Sequence, residues 1–191
     1  MKKGIGILLL GLVLLLGACG TDSADKEPKE PKETKETKKT TESKKQEVTA
    51  ESTMDSFVKA EIAMYKNVVF TVDTDPNELL GRPNSYIAKI DFNDKTAIDR
   101  IATKNINDLG LDESDKGAQI EQLINERTGG TIEEFKTEED LQKRLEYLQD
   151  LPVKTDVDNE YRFSNSKVLL RIDSKLTPNE AEKYKKVFLN L

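Results

Sequence analysis

Residues 21–53 contain almost no apolar side chains, which confines any hydrophobic core to the rest of the chain. Lys-Glu-Pro occurs twice and Lys-Glu-Thr twice between Lys26 and Thr37, with nearly balanced charge. Such a segment cannot bury enough surface to offset the entropy lost on ordering. We therefore expect residues 19–53 to form a hydrated, disordered tether with a reach of roughly 30 Å, followed by one folded domain over residues 54–191.

Composition excludes several classes of function. The chain of 191 residues has no His and a single Cys, Cys19. Catalytic triads that need His, and zinc sites that contain His, are therefore excluded. The formal net charge of -6 makes nucleic acid a poor electrostatic partner.

The first 18 residues have the three parts of an export signal. Lys2 and Lys3 supply a positive start, residues 5–16 an apolar stretch, and Gly17 and Ala18 the small residues of a cleavage site. An apolar run of about 12 residues is too short to cross a bilayer core of about 30 Å as a helix. We therefore predict a signal peptide over residues 1–18.

The stretch Leu16-Gly17-Ala18-Cys19 resembles the lipobox of bacterial lipoproteins. This resemblance implies a diacylglyceryl group on the Cys19 sulfur and cleavage between Ala18 and Cys19. The mature protein would then be held at the outer face of the cytoplasmic membrane by acyl chains such as palmitate. Each buried methylene contributes about 0.8 kcal/mol, and two or more chains anchor stably where one does not.

Hydrophobic periodicity and turn residues predict alternating helices and strands after residue 54. Val58, Ile62, Tyr65 and Val69 recur at spacings of four, three and four, which is typical of one helix face. The expected elements are a helix over 57–69, an irregular segment over 74–86, a strand over 86–92, a helical insert within 95–127 ending before Gly129, a strand over 131–135, a helix over 137–151, strands over 160–163 and 167–173, and a helix over 177–191.

Capping residues define two of these helices. Thr137 precedes one, with Asp140 three residues later. Thr177 precedes the last, with Pro178 at its first position and Glu180 completing a capping box. We predict an α+β fold of two layers: a mostly antiparallel sheet of three or four strands with amphipathic helices on one face. Leu145 and Phe188 are expected on the same side of that sheet.

No catalytic residue, cofactor or metal site emerges from the motifs. The Asp-rich stretch Asn105–Gly117 suggests a calcium loop, but Leu109 occupies a ligand position, and Lys116 stands where a bidentate Glu is needed. Gly81 and Pro83 indicate a turn, with Arg82 as a candidate surface contact.

Three stretches, "DPNELLGRPNSYIAKIDF", "GGTIEEFKTEEDLQKRLEYLQ" and "VLLRIDSKLTPNEAEKYKKVF", resemble a group of small, uncharacterised Gram-positive lipoproteins and exported proteins. The resemblance covers roughly residues 75–92 and 128–188. It implies a lipid anchor and a compact α+β domain, and it assigns no activity or ligand.

The expected function is a non-catalytic binding module, held at the membrane through Cys19, whose partner is a surface protein or a cell-wall component. Ligand-binding residues and oligomeric state stay open. One alternative is a small surface enzyme that uses carboxylate, Lys or Tyr chemistry. A second is a signalling role for residues 11–18, an apolar octapeptide that resembles the peptide sex pheromones cut from lipoprotein leaders.

Overall fold

The structure, a computed structural model, describes residues 47–151 and 159–191. Ala18 and Cys19, the signal peptide and most of the tether lie outside these residues. The helices are α1 Ala50–Lys59, α2 Lys95–Leu109, α3 Lys116–Asn125, α4 Glu138–Gln149 and α5 Pro178–Leu189, with a 3-10 helix at Glu113–Asp115. The strands are β1 Met64–Val69, β2 Tyr86–Asp94, β3 Gly129–Phe135, β4 Tyr161–Asn165 and β5 Val168–Ile172.

The described strands form one sheet in the order β1-β2-β3-β5-β4. Every neighbouring pair is antiparallel. The α+β class is confirmed, with five strands in place of the expected three or four. The helical insert is confirmed as α2 and α3, which pack together through Ile98, Ala102 and Leu123.

The helix expected over residues 57–69 is wrong from Ala60 onward. Helix α1 ends at Lys59, and the chain then enters β1, which pairs with β2. Val58 and Val69, expected to face inward, are 56% and 69% exposed. The spacing of apolar residues fitted a helix, but pairing with the edge of β2 outweighs that local preference.

The folded part begins before the expected boundary at residue 54. Thr49 and Ser52 form a capping box at the start of α1, and Val48 and Ala50 are buried. The backbone N–H of Ala50 also donates to Glu134 Oε2 at 2.9 Å. The first turn of α1 is therefore part of the domain.

The helices lie on both faces of the sheet, where the sequence had suggested one. Helices α1 and α5 cover the first face, where Phe57, Tyr184 and Phe188 pack. Helix α4 and the loop 70–85 cover part of the second face. Leu169 and Leu170 are adjacent on β5, so their side chains point to opposite faces, and both are fully buried. Each face therefore needs a cover of its own.

A bulge at the start of β2 changes the face of Tyr86. Tyr86 pairs with Phe135 and Ala88 with Glu134, so two steps on β2 match one step on β3. Such an insertion reverses the alternation of side chains. Tyr86 therefore packs in the second-face cluster, whereas Ile90 packs on the first face.

Several local expectations are confirmed. Thr137 caps α4, and Thr177 and Glu180 form the capping box of α5, with Pro178 in its first turn. The prediction that Leu145 and Phe188 lie on the same side of the sheet is wrong: Leu145 is half-buried in the second-face cluster and Phe188 is buried on the first face, because α4 and α5 cover opposite faces. Gly129, expected to stop a helix, opens β3 instead.

Candidate binding site

The second face of the sheet carries buried charges. Lys89 and Asp91 on β2, Glu133 on β3 and Arg171 on β5 project from it, and the first three are no more than 5% exposed. Buried charges are tolerated when they are paired and hydrogen-bonded. Each of these charges therefore needs a partner of opposite charge or a set of hydrogen bonds.

Asp75 balances Lys89 at one end of this face. Its Oδ1 accepts a hydrogen bond from Lys89 Nζ at 3.1 Å, and its Oδ2 accepts from Tyr86 Oη at 2.6 Å and from the backbone of Leu79 and Leu80. Burial by itself raises the pKa of Asp75, but the hydrogen bonds from Tyr86, Leu79 and Lys89 outweigh it and hold the pKa well below its usual range. Asp75 thus stays ionised and fastens the loop 70–85 to β2.

Glu133 occupies the middle of the face and is balanced by two arginines. Arg144 of α4 donates to it through Nε and Nη2 at 3.0 and 2.9 Å, and Arg171 donates through Nη1 at 3.0 Å. Burial alone raises the pKa of Glu133, but the hydrogen bonds and charges of the two arginines lower it overall. The carboxylate therefore ties α4 to the sheet.

The charged half of the second face is open to solvent on either side of Arg127, which follows α3. We call the larger opening, of about 280 Å³, the charged cleft. Its cations are held by acids: Arg171 by Glu160 at 2.9 Å, and Lys175 by Glu126 at 2.9 Å. The charged cleft therefore presents ion pairs to solvent.

The smaller opening, of about 190 Å³, has Asp91 and two cations, Lys66 and Arg127, in its lining, together with Val68, Phe70, Asn93, Ile124 and Asn125. We call it the Asp91 cleft. Its charged and amide groups come from β1, from β2, from the end of α3 and from the turn after it, and its apolar side chains come from β1, from Phe70 and from α3. Residues far apart in sequence thus form one concave surface.

Asp91 is the least satisfied buried acid of the face. Its Oδ1 accepts from Thr131 Oγ1 at 2.8 Å. Its Oδ2 lies 3.2 Å from Arg127 Nη1, but without hydrogen-bond geometry, and no other described residue donates to it. Burial raises the pKa of Asp91, and the nearby charges of Lys89 and Arg127 offset this only in part. The site can therefore accept a further donor.

The described Tyr, Lys and carboxylate cluster at Tyr65, Lys95 and Asp99 does not favour the enzyme alternative. Lys95 Nζ lies 3.3 Å from Tyr65 Oη, and both groups contact the Asp99 carboxylate. Asp99 raises the pKa of both Tyr65 and Lys95. A general base or an amine nucleophile needs a shift in the opposite direction.

The structure assigns structural roles to the remaining sequence candidates. Gly110 ends α2 in the left-handed conformation, with φ 63°. Lys116 begins α3 and pairs with Glu113 at 3.2 Å. Arg82 is exposed and pairs with Glu78 in the loop 70–85. The rejected calcium loop is thus a connection between two helices.

Sequence reasoning missed Asp91, Arg127 and Phe70. The available signal was the alternation of Lys89 and Asp91 within β2, which also fits a strand with one face in water. Arg127 and Phe70 carry no local signal, since each comes next to Asp91 only through folding.

Two searches within residues 47–151 and 159–191 give negative results. No helix there is long and apolar enough to span a bilayer. No group of three or more acidic or Cys side chains in those ranges is arranged to hold a metal ion. Comparison with protein-family models, with curated proteins and with solved structures finds no significant match for the chain.

Proposed function

We propose that the chain is a lipoprotein held at the outer face of the cytoplasmic membrane, whose folded domain binds a partner without catalysing a reaction. The observation that carries the anchoring is the stretch Leu16-Gly17-Ala18-Cys19, directly after the apolar run 5–16 and before a polar tract. Cys19 is the only thiol of the chain, so it is the only residue that can form the thioether.

The charged cleft lies away from the point where the described chain enters the domain. The first residues of the domain are tied to one end of the sheet, by Ala50 N to Glu134 Oε2 and by Lys167 to Glu47 at 3.3 Å. The charged cleft lies at the other end of β3, against Gly130. Glu134 lies four positions after Gly130 along the strand, which is about 13 Å at 3.3 Å per residue. A partner in the charged cleft would therefore be clear of the residues through which the chain enters the domain.

The state of two of the three buried acids on the second face, Asp75 and Glu133, supports binding over catalysis, whereas burial raises the pKa of the third, Asp91. Asp75 and Glu133 have lowered pKa values because cations and donors hold them ionised. Catalytic acids and bases instead need pKa values poised near the working pH. Ion pairs that line an open cleft can exchange partners without any covalent bond being broken.

The net charge of the folded domain also restricts the class of partner that it can bind. Residues 47–191 contain 29 acidic and 20 basic side chains, a net charge of -9. Nucleic acid and anionic lipid headgroups are repelled by such a domain. A surface protein or a cell-wall component with basic groups fits better.

The anchoring is tested by feeding radiolabelled fatty acid to cells that express Cys19→Ser, with Ser23→Ala as the matched control. Wild type and Ser23→Ala should carry label and Cys19→Ser none, because a hydroxyl does not form the thioether. Label on Cys19→Ser equal to that of wild type would overturn the anchoring.

Binding is tested with the full-length protein in vesicles, mixed with wall fragments and with solubilised surface proteins. Lys175→Glu places a negative charge at the charged cleft, and Lys143→Glu places one on the outer side of α4. Retention of the partner should change with Lys175→Glu alone. Equal effects of both variants, or release of a chemically altered partner, would contradict the proposal.

A further inference from the structure

The Asp91 cleft contains a carboxylate oxygen that is built to accept a donor. Asp91 is 5% exposed, and its Oδ2 has no hydrogen bond from any described residue. Leaving a buried charged acceptor without a hydrogen bond is costly. An unpaired buried acceptor in a native protein calls for an explanation, and a bound group that donates to it is one.

Arg127 occupies the opening, but it does not donate a hydrogen bond to Asp91 Oδ2. Its Nη1 lies 3.2 Å from Asp91 Oδ2, and its guanidinium carbon lies 5.6 Å from the centre of the Phe70 ring. The side chain is half exposed, and the backbone adopts φ 58°, which is unfavourable for a residue other than Gly. Arg127 therefore approaches the carboxylate from the solvent side, at the cost of backbone strain.

We infer that the Asp91 cleft binds the guanidinium or primary ammonium group of a basic peptide segment, and that Arg127 occupies the cleft until that segment displaces it. The inference deepens the proposed binding function and rests on it, but not on the lipid anchor. Asp91 supplies the counter-charge, and Phe70 supplies an aromatic face for the cation. Val68 and Ile124 supply an apolar wall for the alkyl stem of an Arg or Lys side chain.

A peptide is favoured over an isolated small cation because the two clefts meet at Arg127. On the far side of Arg127, the charged cleft contains Glu126, Glu160 and Asp173. Glu160 and Glu126 already pair with Arg171 and Lys175, so a segment with basic side chains at intervals would meet these acids by exchanging with those cations. The net charge of -9 over residues 47–191 adds long-range attraction for such a segment.

The test uses the full-length protein in non-ionic detergent, with Ile and Val methyl groups labelled for NMR. Methylguanidinium and the peptide acetyl-Gly-Arg-Gly-amide are titrated, and acetyl-Gly-Gln-Gly-amide serves as the neutral control. The methyl groups of Val68 and Ile124 line the cleft, whereas Val168 is buried on the first face. Both cations should shift the Val68 and Ile124 signals to saturation and leave Val168 unchanged.

Two variants separate the roles of Asp91 and Arg127. Asp91→Asn removes the charge and should weaken binding about tenfold or more, as expected for loss of a hydrogen bond to a charged group. Asp108→Asn, on the exposed side of α2, should leave affinity unchanged. Arg127→Gln removes the internal competitor and should tighten binding, which simple damage to the fold would not do.

Each result supports or overturns the inference. Equal shifts with the neutral peptide, or no tightening in Arg127→Gln, would overturn it. Binding of methylguanidinium without binding of the Arg peptide would overturn the assignment to a peptide. If Lys175→Glu changes retention of the partner in the vesicle assay but no cation binds the Asp91 cleft, this inference is overturned. The proposed function then still stands.

Discussion

Tyr184 Oη donates a hydrogen bond of 2.7 Å to Asp94 Oδ2, across 90 positions of sequence. The other carboxylate oxygen of Asp94 accepts from the backbone N–H of Ala97 and thereby caps α2. One buried carboxylate thus joins α5, the end of β2 and the start of α2. Burial, reinforced by the charge of Asp94, raises the pKa of Tyr184, so the phenol stays a neutral donor.

Replacement of Tyr184 by Phe should destabilise the protein by about 1.5–3 kcal/mol, because the buried acceptor is charged and loses a donor. The measurement is urea unfolding of the full-length chain followed by circular dichroism. Tyr147→Phe is the matched control, since Tyr147 is exposed on α4; it should change stability by no more than about 0.5 kcal/mol. Equal losses for the two variants would contradict a role for the Asp94 contact.

Glu133 should make stability depend on acid pH. Its pKa is lowered in the folded state, so the unfolded state binds more protons over the window below about pH 5. The contribution of Glu133 is complete above the unfolded pKa and is lost as pH falls through the folded pKa. We therefore expect the free energy of unfolding to decrease from about pH 5 downward.

The variant Glu133→Gln leaves two buried arginines without their counter-charge. It should cost about 3–5 kcal/mol at pH 7. Its free energy of unfolding should also fall less steeply with acid than that of wild type. Glu139→Gln, at an exposed ion pair on α4, is the control and should behave as wild type. A pH slope unchanged in Glu133→Gln would show that other acids cause the dependence.

Two Gly→Ala substitutions should have effects of opposite sign. A Cβ at Gly130 would lie 2.6 Å from the backbone oxygen of Arg171 and 2.6 Å from the Phe92 ring. Gly130→Ala should therefore destabilise by about 1–3 kcal/mol, as overpacking does. Gly117 lies inside α3, where an added Cβ would meet nothing within 4 Å. Gly117→Ala should stabilise by up to about 1 kcal/mol, and thermal melts that fail to separate the two would contradict this placement of β3.

The two covered faces of the sheet should behave as independent cores. Phe188 is fully buried on the first face and Leu148 is 2% exposed on the second. Phe188→Leu and Leu148→Val should each destabilise by about 1–2 kcal/mol. Because the sheet separates the sites, the double variant should equal their sum within about 0.5 kcal/mol. A larger coupling energy in urea unfolding would indicate one shared core.

The sequence by itself determined the features that depend on neighbouring residues. Thr137 and Thr177 mark the starts of α4 and α5. Each hydroxyl accepts a hydrogen bond from the third N–H of its helix, which would otherwise have no partner. This contact forms wherever the helix lies in the fold. Strands β4 and β5 are also close in sequence, so their pairing depends on a short connection. The α+β class followed from such elements in order.

Only the tertiary structure decided which faces are buried and which residues meet. The spacing of Val58, Ile62 and Tyr65 fits a helix, but β1 forms because β2 offers a hydrogen-bonding edge. The charges of Lys89 and Asp91 look solvent-facing until Asp75 of the loop 70–85 pairs with the first and Arg127 with the second. Neither outcome has a local signal, because the free energy that decides it comes from contacts between segments distant in sequence.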